Sequence, residues 1–322
     1  MTGAGGCAST TVDRVDEPGP AVIAAAEDVS LHEFNRVRMG VPARLLIYSE
    51  SAEQAEAAAR AAFDRISELE SVLSDYDSSS EVRRLAPVSV GEPVEVSIDL
   101  AAAVRRSTDV SAMTYGAFDA SCGPLTQLWR QAFLDGEPPD DAAINAAASR
   151  VGWSFISVEE DPPRLIFDLP GMALDFGGIG KGIAADAALE VLRLQGCPRS
   201  LVDLGGDLAI GAPPPGRSGW RIGVALDDDS VASHVELAQC GVATSGNAEQ
   251  HMDHGGNRHS HIIDPRTGFA LKHSYAVSVQ APDATTADAM ASAISVLGPV
   301  VGPSLLEVWP DIHILSQGVT PP

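Results

Sequence analysis

The chain has 322 residues, 45% hydrophobic and 20% charged, the balance of a folded globular protein and not of a disordered or fibrous one. It carries 44 acidic against 21 basic residues, a formal charge of −23, and so lacks the basic footprint that nucleic acids and anionic membrane surfaces require. No run approaches the roughly 20 apolar residues that span a bilayer.

Residues 1–30 are rich in Gly, Ala, Thr, Asp and Pro without periodicity and read as a flexible leader. There is no basic n-region, and the chain reads as soluble. Ala4-Gly5-Gly6-Cys7 nonetheless resembles the end of a lipoprotein signal whose apolar part is missing, which leaves cytoplasm and cell envelope both open. The four cysteines, Cys7, Cys122, Cys197 and Cys240, form no CxxC pair. They read as buried free thiols, not as a disulfide framework or a zinc ribbon.

A single domain is expected over 31–318. Residues 34–39 and 43–48 read as strands joined by the Gly40-Val41-Pro42 turn. Residues 51–73 form the clearest helix: Ala55, Ala59, Ala62, Ile66, Leu69 and Leu73 make one apolar stripe, and Ser51 with Gln54 has the pattern of a capping box. A helix over 100–114 precedes the loop Tyr115-Gly116-Ala117-Phe118-Asp119. Pro138 and Pro139 mark a surface loop, and 140–150 a short helix. Strands are expected at 155–158, 164–168, 172–176, 200–204, 220–225 and 276–280, and helices at 184–194 and 286–297. Without strict βαβ alternation, this mixture favours an α+β fold.

Three segments carry chemistry. In Leu174-Asp175-Phe176-Gly177-Gly178-Ile179-Gly180-Lys181-Gly182, four glycines and a lysine stand between a strand and a helix. Backbone N–H groups and a helix N-terminus suit a phosphate there. The segment matches neither the P-loop nor GxGxxG, and a tight turn packed through glycine is the competing reading.

In Ser260-His261-Ile262-Ile263-Asp264-Pro265-Arg266-Thr267-Gly268, a short strand is expected to run into an Asp-Pro turn. His261 at its start suits proton transfer, or serves as a structural histidine before the turn. His251, His254, His259 and His261 cluster in sequence but lack the spacing of a zinc site. In Thr285-Thr286-Ala287-Asp288-Ala289-Met290-Ala291-Ser292-Ala293, Asp288 and Ser292 share one helix face. They are hard oxygen donors suited to Mg²⁺. The plainer reading is a helix capped by Thr285 or Thr286, with Asp288 set against the dipole.

Taken together and in order, these segments resemble the ApbE family of FAD:protein FMN transferases. Further pieces agree: Met39-Gly40-Val41-Pro42, Leu73-Ser74-Asp75-Tyr76, Gly116-Ala117-Phe118-Asp119 with Gly123-Pro124-Leu125, Leu204-Gly205-Gly206-Asp207, and Thr244-Ser245-Gly246. The resemblance runs from about Phe34 to Leu297. It implies a T-fold-related, two-lobed α+β domain with FAD, the substrate, in the cleft between lobes. It implies FAD contacts at Met39, Tyr76, Ala117, Phe118, Asp119, Gly177, Ile183 and Ile262, with Lys181 near the phosphates. Mg²⁺ ligands would be the Gly180 carbonyl, Asp288 and Ser292, and the catalytic groups His261 and Asp288.

Departures from the family's pattern are Gly180 for Ala, Ile183 for Tyr, Ser292 for Thr, Val41 for Thr and Asp203 for Asn. The implied reaction is Mg²⁺-dependent transfer of FMN from FAD to a Thr or Ser hydroxyl of an acceptor protein, releasing AMP. Hydrolysis of FAD to FMN and AMP would use the same residues. A non-catalytic FAD-binding protein could dispense with His261, Asp288 and Ser292.

Overall fold

The computed structural model describes residues 11–12, 29–85, 89–225, 231–246, 251–272 and 274–320. Most of the expected leader, including Cys7 and the lipoprotein-like Ala4–Cys7 stretch, lies outside the described residues. In chain order the strands are β1 (Thr11–Val12), β2 (Ser30–Arg38), β3 (Val41–Ser49), β4 (Val94–Glu95), β5 (Ile156–Glu160), β6 (Pro163–Phe167), β7 (Ser200–Leu204), β8 (Asp207–Ile210), β9 (Trp220–Ala225), β10 (Val231–Leu237), β11 (Cys240–Ser245), β12 (His251–His254), β13 (Asn257–Ser260), β14 (Ser274–Ala281) and β15 (His313–Thr320). The helices are α1 (Ala52–Leu73), α2 (Glu81–Arg84), α3 (Ile98–Met113), α4 (Gly123–Asp135), α5 (Asp141–Ala148), α6 (Gly180–Leu194) and α7 (Ala284–Val301). The fold is α+β, as expected.

Its frame is a seven-stranded antiparallel sheet in the order β15-β14-β11-β8-β7-β3-β2. Helices α1, α6 and α7 pack on one face. Alternation along β3 explains the two-sided burial: Ala43, Leu45 and Ile47 enter the helix-side core, and Leu46 enters a second core with Trp220 and Ile222 of β9. Thr11 and Val12, inside the expected leader, pair with Ile222 and Gly223 at the edge of β9.

Helix α1 buries every residue of the predicted stripe and adds Ala58 and Phe63. Its cap is only half a capping box. Ser51 accepts the Gln54 N–H at 3.3 Å, but the Gln54 side chain accepts from the Ser49 hydroxyl at 2.8 Å and donates to the Gln195 carbonyl.

Two expectations need correction. Residues 172–176 form no strand; Ala173 makes one isolated bridge to Cys122, and Asp175 N–H donates to the Ala120 carbonyl. The sequence predicts no helix over Gly123–Asp135; Gly123-Pro124-Leu125 opens α4 there, where proline needs no N–H partner. Helices α4 and α5 form a smaller lobe with β12 and β13. Its core holds Leu125, Trp129, Ile144, Met252, Ile263 and Ala270.

Helix α7 is long and apolar enough to cross a membrane by length and composition, yet 72% of it is buried within the fold. It is the central core helix. Cys197 and Cys240 are buried and Cys122 is half-buried, all as free thiols. Burial pushes the Cys240 thiol up to about 11.

Candidate functional site

The site assembles where α6 begins. Ile179, the residue before α6, offers no side-chain cap, so the first N–H groups of the helix need partners from elsewhere. One comes from α7: the Asp288 carboxylate accepts the Gly182 N–H at 3.1 Å. Asp288 therefore does not sit in a solvated first turn set against its own helix dipole. It is 5% exposed and faces the other helix. The cap of α7 is Asp283, which accepts the Thr286 N–H at 2.6 Å, and not Thr285 or Thr286.

The glycines of the turn are fixed by what touches them. A Cβ on Gly182 would lie 2.4 Å from the Ala284 carbonyl oxygen, so only glycine permits this helix crossing. A Cβ on Gly178 would lie 2.9 Å from the Ser292 hydroxyl and 3.4 Å from the Phe118 ring. At Gly180 a methyl would meet only Phe176 at 3.5 Å and Met39 Cε at 3.8 Å, ordinary contacts. Met39, Phe118, Gly178, Gly180, Asp288 and Ser292 are thus brought to one place. Met39 and Gly40 take φ of 51° and 73°, the positive pair of a tight hairpin, which sets Met39 over the helix start.

The charge at this point is unbalanced. Lys181 pairs closely with Asp207, and its Nζ lies 3.9 Å from Asp288 Oδ1. Two nearly buried carboxylates share that one ammonium. Burial first, and then Asp207, push the Asp288 carboxyl up to about 7, against the pull of Lys181 and the Gly182 N–H. A further cation placed there would favour its ionised form. The donors at hand, a carboxylate, the Ser292 hydroxyl and backbone carbonyls, are oxygens of the kind Mg²⁺ takes. The residues fit that ion.

The other expected contacts are placed as follows. Tyr76 is 81% exposed, with the Arg130 guanidinium 4.2 Å from its ring centroid. Arg130 also bridges two buried carboxylates, Asp75 and Asp175. Asp175 in turn accepts the Gly177 N–H at 2.7 Å. Arg130 therefore ties Tyr76 to the glycine turn.

Ala117 and Phe118 are buried beside the site. Asp119 turns inward: its carboxylate accepts the N–H groups of Ser121 at 2.8 Å and Trp153 at 3.0 Å, so it shapes the loop. Ile183 lines a cavity of about 330 Å³ with Leu69, Ala103, Arg106, Ala187 and Thr285.

His261 is exposed, just past the end of β13. Past a bend at His261 the expected extended stretch is short: Ile263 bridges Ala270, Leu271 N–H donates to the Ile262 carbonyl, and Gly268 N–H donates to that of Asp264 in the expected turn. Ser260 Oγ accepts the Ile262 N–H at 2.9 Å, and Asp264 holds the N–H, Nε and Nη2 of Arg266. Ile262 packs on the main core and Ile263 on the smaller one, which places His261 at the seam of the two lobes. The neighbouring histidines are used separately. His259 lies against Trp129 at 5.5 Å, and His254 Nδ1 is 3.3 Å from the Gly136 carbonyl oxygen.

Sequence reasoning missed Arg130, Asp186 and Asp207. Asp207 lay inside the quoted Leu204-Gly205-Gly206-Asp207 piece without a role. Asp186 had a signal in its spacing, four residues beyond Gly182 and on the same helix face.

This is an α+β protein in which a glycine turn at a helix start meets an oxygen-donor pair, an arrangement suited to a phosphate-bearing ligand. The ApbE family model matches residues 39–315, and the chain belongs to that family. An FAD:protein FMN transferase of Klebsiella pneumoniae is 29% identical over 293 residues, covering 89% of each chain. One of Treponema pallidum is 30% identical over 305 residues, covering 88% of this chain and 84% of that one. The crystal structure of the Pseudomonas stutzeri flavinyl transferase ApbE in its apo form superposes with a TM-score of 0.78 at 28% identity, covering 91% of this chain and 95% of that one.

Proposed function

We propose that the chain transfers the FMN half of FAD to a threonine or serine hydroxyl of an acceptor protein and releases AMP. The observation that carries this reading is the meeting of the glycine turn with Asp288 and Ser292. It joins the positive start of a helix to an excess of carboxylate charge. The names of the relatives supply the substrate pair.

FAD lies in the cleft between the lobes, against Met39, Tyr76, Ala117, Phe118, Gly177, Ile183 and Ile262, with Lys181 and the turn's N–H groups toward its pyrophosphate. Asp119 acts by holding the loop that carries Phe118. Gly180 through its carbonyl, Asp288 and Ser292 would hold Mg²⁺. Bound there, the ion would neutralise charge on the pyrophosphate under attack.

His261 stands at an exposed seam, where a hydroxyl of an incoming protein reaches it, and it takes that proton. The acceptor oxygen forms the new bond to the FMN-side phosphorus. The bond to the AMP oxygen breaks, and AMP leaves with the electron pair. Positioning by the two helices and the turn supplies most of the rate.

Intact-mass spectrometry of an acceptor domain incubated with the protein, FAD and Mg²⁺ tests the reading. An acceptor heavier by one FMN residue, with AMP released in equal amount and both lost with EDTA, is the expected result. FMN and AMP in solution beside an unmodified acceptor would mean that water is the acceptor. Bound, unchanged FAD would mean a flavin-binding protein.

A further inference from the structure

Helix α7 is capped by two carboxylates from two different elements. Its own Asp283 accepts the Thr286 N–H at 2.6 Å. The first two N–H groups, of Ala284 and Thr285, go instead to the two oxygens of Asp186 on α6, at 2.9 and 2.8 Å. The Thr285 hydroxyl also donates to Asp186, at 2.6 Å.

This second carboxylate is costly. Burial pushes the Asp186 carboxyl up, and Asp283 beside it adds repulsion. Solvent does not reach those N–H groups, since Ala284 is 0% and Thr285 7% exposed, so this helix start needs an acceptor from the protein itself.

The arrangement gains register. Asp186 and Gly182 lie four apart on the face of α6 that meets Ala284. A Cβ on Gly182 would strike the Ala284 carbonyl, which shows how closely the helices cross there. Ala284, Asp288 and Ser292 follow one another at intervals of four along the facing stripe of α7. A carboxylate that grips two successive N–H groups with two oxygens fixes both the rotation of α7 and its position along its axis. That in turn fixes where Asp288 and Ser292 point.

We propose that Asp186 is a positioning residue for the metal site: it sets α7 against α6 so that Asp288 and Ser292 converge on the Gly178–Gly180 turn. The proposal rests on the reading of Asp288 and Ser292 as metal ligands.

The test is Mn²⁺ affinity of the full chain, followed by electron paramagnetic resonance without FAD, with far-UV circular dichroism confirming the fold at the same temperature. Asp186→Asn presents one N–H donor to another and should weaken Mn²⁺ binding at least tenfold. Thr285→Val, a milder change that spares the backbone bonds, should weaken it a few-fold, and it carries the test if Asp186→Asn does not fold. Leu192→Ala, buried on α6 beyond the crossing, should lower the unfolding midpoint and leave Mn²⁺ affinity unchanged.

Wild-type affinity in Asp186→Asn, or in a folded Thr285→Val when Asp186→Asn does not fold, would overturn the proposal while leaving the metal site standing. Equal loss in Leu192→Ala would overturn it too, because the effect would then be general loosening. If wild type binds no Mn²⁺, or Asp288→Ala binds it equally well, the reading of the metal site fails, and this proposal with it.

Discussion

Asp186 and Asp288 hold each other's helices: the carboxylate of Asp186 on α6 accepts the first two N–H groups of α7, and that of Asp288 on α7 accepts the Gly182 N–H of α6. The crossing is therefore closed by polar contacts, and one of the two residues, Asp288, also meets the end of the glycine turn.

Asp288 makes the metal-free protein sensitive to pH. Its carboxyl is raised from its ordinary value near 3.8 to about 7. Between those two values the folded state binds more protons than the unfolded state, so this group's contribution is fully present below about pH 4 and is lost as pH rises through about 7. In EDTA, Asp288→Asn should show a flatter dependence of unfolding midpoint on pH over that window than wild type. Identical slopes would remove Asp288 as the source.

Gly180 and Gly182 should behave oppositely when changed to alanine. At Gly180 the methyl finds room, and replacing glycine at a helix start should leave stability the same or raise it by up to about 1 kcal/mol, with activity kept. At Gly182 it meets the Ala284 backbone, and overpacking should cost about 1–3 kcal/mol or more. Urea unfolding of the two variants distinguishes them; equal stabilities would mean that the helices separate freely.

Arg130→Met would leave Asp75 and Asp175 buried without their shared cation. Removing one partner of a buried pair costs about 3–5 kcal/mol, and Arg130 is partly exposed, which argues for the lower end. Burial and Asp175 already push the Asp75 carboxyl up, so acidification should restore part of the loss by protonating it. The variant should also show a raised KM for FAD, because Asp175 holds Gly177 and Arg130 backs Tyr76. An unchanged KM would confine Arg130 to stability.

His261→Ala should abolish transfer and leave FAD binding intact. The side chain is exposed, so stability should change by no more than about 0.5 kcal/mol. Retained transfer at wild-type rate would exclude His261 as the proton acceptor.

Much of this frame was legible in the sequence because periodicity carries it. The stripe of α1 and the apolar runs of β7 and β9 came out with their observed bounds or within a residue. β8, β11 and β15 did not, and β11 shows why. Its Cys-Gly-Val-Ala-Thr-Ser is chosen for size, since a Cβ on Gly241 would lie 2.1 Å from the Ala284 nitrogen. Contact with a distant helix sets that composition, and no local pattern reveals it.

The same holds at the site. Asp288, Ser292 and the glycines stand in recognisable motifs, whereas Arg130, Asp186 and Asp207 act across the fold on partners between 26 and 99 residues away. Asp119 was legible as a site residue, but its inward direction was not, because that depends on Trp153 arriving from another segment.

Whether one ion joins the Gly180 carbonyl, Asp288 and Ser292 to the FAD pyrophosphate is read from an anomalous difference map of a crystal grown with FAD and Mn²⁺. A single strong peak within coordination distance of those three residues and of a pyrophosphate oxygen is expected. A peak held by other residues, or FAD bound with no peak at Asp288, would contradict it.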